Sequence, residues 1–298
     1  MLINKLAIIG VGLIGGSLAR ALRRAGACAH ISGYGRDQTN MQKAVELGVI
    51  DDYSKDIATV VVDADVVVLA TPLSTIEPLL TAMAPALRPH TIITDVGSAK
   101  GSVVVAARAA LNNRLQRFVP GHPIAGTEQS GVAASFADLF IDHMVILTPL
   151  EENDPDAVEL ITRMWKICGA TVVSLSVDHH DQVLAATSHL PHVLAYALVD
   201  CLAGMNEHDE IFRFSAGGFR DFTRIASSSP EMWSDICISN RDNLLQVIKL
   251  FESRLHEMAE IISADDKEGL REIFARAKHT RDTQLAERQM SLARNKQK

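Results

Sequence analysis

The 298-residue sequence predicts an open α/β sheet over residues 1–175 followed by an all-α segment over 176–298. Three observations lead there. Short β-branched runs alternate with helical patterns through the first part, and this alternation stops after Leu175. Three glycines in G-x-G-x-x-G spacing also stand between the first apolar run and the first helical one. Strands alternating with helices make a parallel sheet.

The strand candidates are KLAIIG, HISGYG, DVVVLATP, TIITDVG, RFVPG, HMVILTP and ATVVSL. Several are apolar almost throughout, as strands covered on both faces require. Between them LIGGSLARALRRAG, TNMQKAVELG and DPDAVELITRMWKICG each end at a glycine suited to the residue just beyond a helix. From Asp178 onward the pattern is helical: HHDQVLAATSHLPHVLAYALVDCL, then SPEMWSDICISNRDNLLQVIKLFESRLHEMAEII, then KEGLREIFARAKHTRDTQL. In the middle segment Ile238, Leu244, Leu245, Val247, Ile248, Phe251, Leu255 and Met258 fall mostly on one helical face. Such a stripe packs against a second copy or lines an ordinary bundle core, and the stripe alone does not decide. The polar end ERQMSLARNKQK is expected to fray.

Composition narrows the class. Hydrophobic residues make up 47% and charged residues 22%, which suits a globular protein. The net charge of −7, from 29 basic and 36 acidic residues, argues against a general nucleic-acid binder. No run reaches the ~18 apolar residues of a membrane span, since Asp63 and Asp65 interrupt the most apolar stretch. The N-terminus runs straight into a strand without a signal-peptide pattern. Cys28, Cys168, Cys201 and Cys237 are scattered and read as buried thiols of a reducing compartment, so the expected location is the cytoplasm.

Gly10, Gly12 and Gly15 follow an apolar strand and open an amphipathic helix. The first permits the tight turn, the second lets a pyrophosphate approach the backbone, and the third lets helix and strand pack closely. Leu13 and Ile14 lie at the helix N-terminus that faces the phosphates. This is the Rossmann-type, dinucleotide-binding context. After the second strand an acidic residue would bind the ribose 2′-OH of NAD; here the chain reads Gly35-Arg36-Asp37. Arg36 suits a 2′-phosphate, which leans the expectation to NADP with NAD possible. The alternative is a solvated Arg36 beside an Asp37 that caps the next helix.

Further residues lie where open sheets bind ligands. Thr71 and Pro72 end one strand, and Ser98 in TDVGSAKG ends the next. Ser98 contacts a ligand or caps the following helix. In GHPIAGTE, His122 lies just past another strand end, restrained by Gly121 and Pro123, with small Ala125 and Gly126 leaving room for a ligand. A histidine titrating near neutrality is the usual acceptor for a hydroxyl proton, although lone histidines are more often structural. His189 and His192 share a face if helical. They lack the H-E-x-x-H or cysteine pattern of a metal site, so no metal is expected. In GGFRDFTRIA, Arg224 suits bidentate capture of a carboxylate, with Asp221 three residues earlier to hold it. The plain alternative is a surface ion pair.

The fingerprint, DVGSAKG, GHPIAGTE, SHLPH and GGFRDFTRIA, in this order and spacing, resemble the TyrA family of prephenate, arogenate and cyclohexadienyl dehydrogenases of tyrosine biosynthesis. The resemblance covers nearly the whole chain and implies an N-terminal Rossmann domain and a helical C-terminal dimerisation domain, hence a homodimer. No length remains for the chorismate mutase or regulatory domains fused to some members. By this resemblance His122 takes the proton of the substrate ring hydroxyl, and Ser98 helps orient it. Arg224 binds a substrate carboxylate with Asp221 as partner, and His189 and His192 lie at the domain interface near the substrate. The implied reaction moves a hydride to the nicotinamide, releases carbon dioxide and aromatises the ring. Gly35-Arg36 departs from the NAD-preferring members. Two rivals are a β-hydroxyacid-type dehydrogenase, which would use a lysine in the helical domain, and a dinucleotide-sensing protein without turnover.

Overall fold

The computed structural model describes residues 1–127, 129–206 and 208–295. The chain forms two compact units, residues 1–244 and 245–298. The first begins with β1 (Ile3–Ile9), α1 (Leu13–Arg24), β2 (Cys28–Tyr34), α2 (Gln38–Glu46), β3 (Asp52–Ser54), α3 (Ile57–Val61) and β4 (Val66–Leu69). It continues through α4 (Ile76–Met83), β5 (Ile92–Asp95), α5 (Gly101–Leu111), β6 (Phe118–Val119), β7 (Gly121–Pro123), β8 (Met144–Leu147), α6 (Pro155–Ile167) and β9 (Thr171–Ser174).

Six strands form one parallel sheet in the order β3-β2-β1-β4-β5-β6. Strand order therefore reverses between β1 and β4, the switch point beyond whose strand ends such sheets bind ligands. Alternate residues of one strand feed opposite cores. Leu6 and Ile8 point into one cluster, Ala7 and Ile9 into the other, and Val66 and Val68 oppose Val67 and Leu69 in the same way. Fully burying each of these leucine, isoleucine and valine side chains is worth roughly 1.5–3 kcal/mol. The three expected helix stops hold, since Gly26, Gly48 and Gly169 all have positive φ. A second, three-stranded sheet pairs β7 antiparallel with β8, and β8 parallel with β9. His122 therefore lies just past the end of β6 and inside β7, opposite Ile146.

After β9 the chain is helical, as the sequence predicts. α7 (Val177–Leu184) passes through a π-helical turn, Ala185–His189, into α8 (Leu190–Ala203). Pro191 lacks the N–H that would bond the Thr187 carbonyl in a regular helix, which favours the wider turn. Then follow α9 (His208–Arg213), α10 (Gly217–Thr223) and α11 (Pro230–Ser239). The segment expected as one long helix breaks at Asn240. Ile238 therefore lies in the last turn of α11, and the remaining stripe residues lie on α12 (Arg241–Ser263). The second unit comprises the continuation of α12 and α13 (Lys267–Asn295), with Asp265 in the left-handed region between them. The tail expected to fray is helical to Asn295, and its last three residues lie outside the described ones.

The cysteines are free, but only Cys168 is buried, its thiol pushed up to about 12 by burial. Cys201 is exposed, which corrects the reading of all four as buried. No helix among the described residues is long and apolar enough to cross a membrane.

Candidate active site

The glycine turn after β1 separates packing from binding. Gly10 has φ +98°, and a Cβ there would collide with the Ala70 carbonyl and the Thr71 methyl. A Cβ at Gly15 would strike the Gly10 carbonyl and Ile8, so the first and third glycines are demanded by the fold itself. A Cβ at Gly12 would meet no atom within 4 Å. The space over Gly12 is open, and no side chain caps the α1 N-terminus, where Leu13 and Ile14 begin the helix. Open space over a helix start with free N–H groups fits a dinucleotide pyrophosphate. Thr71 and Pro72 leave β4 beside Gly10, where the Thr75 hydroxyl donates to the Pro72 carbonyl at 2.7 Å and lies 2.9 Å from the Thr71 hydroxyl. Beyond β2, Asp37 caps α2 by accepting from the Asn40 N–H at 3.1 Å. Arg36 is exposed and has no ion pair among the described residues.

β5 ends in Asp95, whose carboxylate is fully buried and ion-paired with the equally buried Lys100. Asp95 also accepts from the Gly97 N–H at 2.8 Å and the Gly121 N–H at 3.2 Å. The Lys100 ammonium donates to the Gly121 carbonyl at 2.7 Å. Both peptide groups of Gly121 are therefore gripped by one buried ion pair, and His122 is the next residue. Burial lowers the Lys100 pKa, and Asp95 opposes that shift.

The imidazole of His122 is held from a second side. Its Nδ1 lies 2.9 Å from Nε2 of His180, and Nδ1 of His180 lies 2.7 Å from the Asp181 carboxylate. Asp181 also accepts from the backbone N–H groups of Lys100 and Gly101, both at 2.8 Å. These bonds keep the Asp181 carboxyl low against the cost of its burial. Burial, followed by the charges of Lys100, His180 and His189, lowers His122 well below the ordinary imidazole range. A neutral imidazole at neutral pH is a proton acceptor.

His189, on the π-helical turn, is fully buried. Its Nδ1 is 3.2 Å from the Asn240 amide nitrogen, which also donates to the Asp181 carbonyl at 2.7 Å. Burial lowers His189 to about 4, opposed by Asp181 and by the nearby Ser98 backbone. That backbone makes no well-formed bond to His189, since Nε2 is buried without a hydrogen-bond partner among the described residues. His192 stacks on Trp233 at 3.5 Å between ring centroids, and its Nδ1 meets the Ser188 carbonyl at 2.9 Å.

His122 and His189 are thus tied to one Asp181-centred network, with Ser98 beside His189. The Ser98 hydroxyl makes no hydrogen bond among the described residues. Arg224 and Asp221 sit exposed where α10 runs into a 3-10 turn. The Tyr196 hydroxyl of α8 ties that turn to the His192 helix by donating to the Ser228 carbonyl at 2.7 Å. Asp95, Lys100, His180, Asp181 and Asn240 escaped the sequence reading. Asp95 and Lys100 stand inside TDVGSAKG and His180-Asp181 inside the polar HHD, but a polar run carries no sign of burial. Among the described residues, no group of three or more His, Cys, Asp or Glu side chains could hold a metal.

Residues 18–174 match the family model of the prephenate dehydrogenase nucleotide-binding domain, and residues 176–276 match that of the prephenate dehydrogenase dimerization domain. The chain is 40% identical to the cyclohexadienyl dehydrogenase of Zymomonas mobilis over 93% of its length and 94% of the relative. The crystal structure of a prephenate dehydrogenase from A. aeolicus with hydroxyphenyl propionate and NAD+ superimposes with a TM-score of 0.88. That pair is 39% identical, over 93% of this chain and 97% of the other. A Synechocystis arogenate dehydrogenase follows at 0.79 and 30%, covering 94% and 99%. The parallel sheet with its glycine cradle, the buried neutral histidine and these matches together place the chain in the prephenate dehydrogenase family of NAD(P)-dependent oxidoreductases.

Proposed function

We propose that this chain oxidatively decarboxylates prephenate, arogenate or both to 4-hydroxyphenylpyruvate, tyrosine or both, as a cytoplasmic step of tyrosine biosynthesis, with NADP preferred over NAD. The observation that carries the reading is His122: buried, kept neutral, and fixed both through its backbone neighbour and through its ring. His122 is the base that accepts the proton of the substrate ring hydroxyl. When bound, the nicotinamide accepts the hydride from the carbon bearing that hydroxyl. The chain then contributes position and electrostatics: rigid placement of the base, and a buried setting that keeps it neutral.

Gly10, Gly12, Leu13, Ile14, Gly15, Thr71 and Pro72 form the cofactor cradle. Arg36 supports the NADP preference, because it is exposed and has no carboxylate partner to neutralise it. Arg224 and Asp221 serve the substrate carboxylate, where Asp221 orients the arginine once substrate draws it in. His189 and His192 line the substrate side, and Ser98 orients the reacting ring. Functionally the chain divides into a dinucleotide domain, 1–175, and a helical substrate and dimerisation domain, 176–298. A homodimer through the helical domain would cover Leu245, Leu250, Leu255 and Ile262, large apolar side chains that are exposed in the single chain.

The test is initial rates of reduced-nicotinamide formation with prephenate and arogenate, each crossed with NAD and NADP. Turnover with at least one substrate, and a higher kcat/KM with NADP, is the expected result. Dinucleotide binding with no turnover in any combination would replace this reading with a sensing role.

A further inference from the structure

Asp181 reaches two histidines by two routes. An ionised carboxylate only accepts hydrogen bonds, so the 2.7 Å contact places the His180 hydrogen on Nδ1. In the singly protonated ring His180 Nε2 is then bare, and its 2.9 Å contact with Nδ1 of His122 is a bond that His122 donates. That leaves Nε2 of His122 without a hydrogen. On the other route the Asn240 amide nitrogen donates to the Asp181 backbone carbonyl at 2.7 Å and faces Nδ1 of His189 at 3.2 Å. The amide oxygen of Asn240 accepts from Asn243 at 2.9 Å, which fixes the orientation of the amide. An amide nitrogen only donates, so His189 Nδ1 is an acceptor and its hydrogen sits on Nε2. That Nε2 is buried near the Ser98 backbone, without a well-formed hydrogen bond among the described residues.

We propose that the Asp181 network holds His122 and His189 in opposite tautomers, one presenting a bare nitrogen and the other an N–H, with His180 and Asn240 as positioning residues. The inference rests on His122 being the base and adds what makes it one. An oxidation that starts from a hydroxyl needs an acceptor for that hydrogen. The buried N–H of His189, beside the Ser98 backbone, does not compete for that proton. Second partners of functional histidines commonly fix ring orientation and tautomer in this way. His180 acts through His122 and need not touch substrate.

The direct test is long-range proton–nitrogen NMR of the full-length protein labelled with 15N-histidine, its signals assigned through H122N, H180Q and H189N. The expected spectrum shows His122 protonated at Nδ1 and His189 protonated at Nε2 at neutral pH. His122 protonated at Nε2, as a doubly protonated His180 would impose, overturns the proposal, and so does His189 protonated at Nδ1. Kinetics supply a second test. His180→Phe should lower kcat about 10- to 100-fold with KM within about threefold. His180→Gln, whose amide oxygen can still accept from His122, should lie about tenfold above His180→Phe. Equal kcat in wild type and His180→Phe overturns the positioning role, as does a glutamine variant no better than phenylalanine. Should His180→Phe fail to fold, the wild-type spectrum decides. His122→Asn separates the two readings. If it keeps full turnover the base assignment itself fails, whereas if it collapses while His180→Phe does not, only this inference fails.

Discussion

Nδ1 of His122 lies 2.9 Å from Nε2 of His180, 58 residues away in sequence, and both rings are buried. The pairing joins the small β7-β8-β9 sheet to the first helix after it. It makes the orientation of one imidazole a property of the tertiary fold rather than of the local GHP turn.

The glycine turn yields a prediction with a built-in contrast. Gly12→Ala adds a Cβ into open space, so the fold should tolerate it while dinucleotide affinity falls about tenfold or more, a cost of about 1.4 kcal/mol. Gly15→Ala drives the same atom into the Gly10 carbonyl and Ile8, so it should destabilise the protein by about 1–3 kcal/mol. Thermal midpoints and cofactor titrations on the two variants read the difference. Equal unfolding behaviour would remove the distinction between packing and binding glycines.

Arg36 carries the proposed choice between dinucleotides. Removing an arginine from a phosphate loses a charge-assisted bond of about 1.5–3 kcal/mol. Arg36→Ala should therefore raise the KM for NADP roughly tenfold or more and leave that for NAD nearly unchanged. An equal effect on both cofactors would place Arg36 on the adenine or in solvent.

The buried histidines set the acid side of the pH profile. Burial first, then the charges of Lys100, His180 and His189, hold His122 below 6.5. His122 therefore stays unprotonated as pH falls through 6.5, and the acid limb of kcat/KM should lie below that value. Stability follows the same sign. The folded pKa of His189 is about 4 against 6.5 unfolded, so on acidification the unfolded chain takes up protons first. The stability present above pH 6.5 should be lost progressively between 6.5 and about 4, which thermal midpoints across that window would record. A midpoint that rises on acidification would contradict the buried, neutral histidines.

The parallel sheet was legible because its strands are nearly continuous apolar runs, as in VVVL and IITD, and its helices stop at glycine. β3 and β7 were not, because DYS and GHP are three residues long with no apolar period, and only pairing with distant strands makes them extended. The same limit applies to the site. His122 and Gly12 stand in motifs whose chemistry is local. Lys100 reads as a surface residue until Asp95 is seen to close over it, and Asn240 reads as a mid-helix residue until the chain breaks there to reach Asp181. Burial and long-range partners are what a single sequence does not write down.

Lys100 tests how far that hidden support matters. Lys100→Met leaves Asp95 charged, buried and unpaired, which should cost about 3–5 kcal/mol in urea unfolding. It should also loosen Gly121 and with it the base. A loss below about 1 kcal/mol would mean that the pair does not hold the β5–β7 junction.

Turnover of His122→Asn bears most directly on the whole account, measured with the preferred substrate and cofactor alongside wild type. The predicted result is kcat lower by about 10²–10⁴-fold, with dinucleotide affinity retained and KM changed far less. Wild-type kcat in that variant would contradict the assignment of His122 as the base.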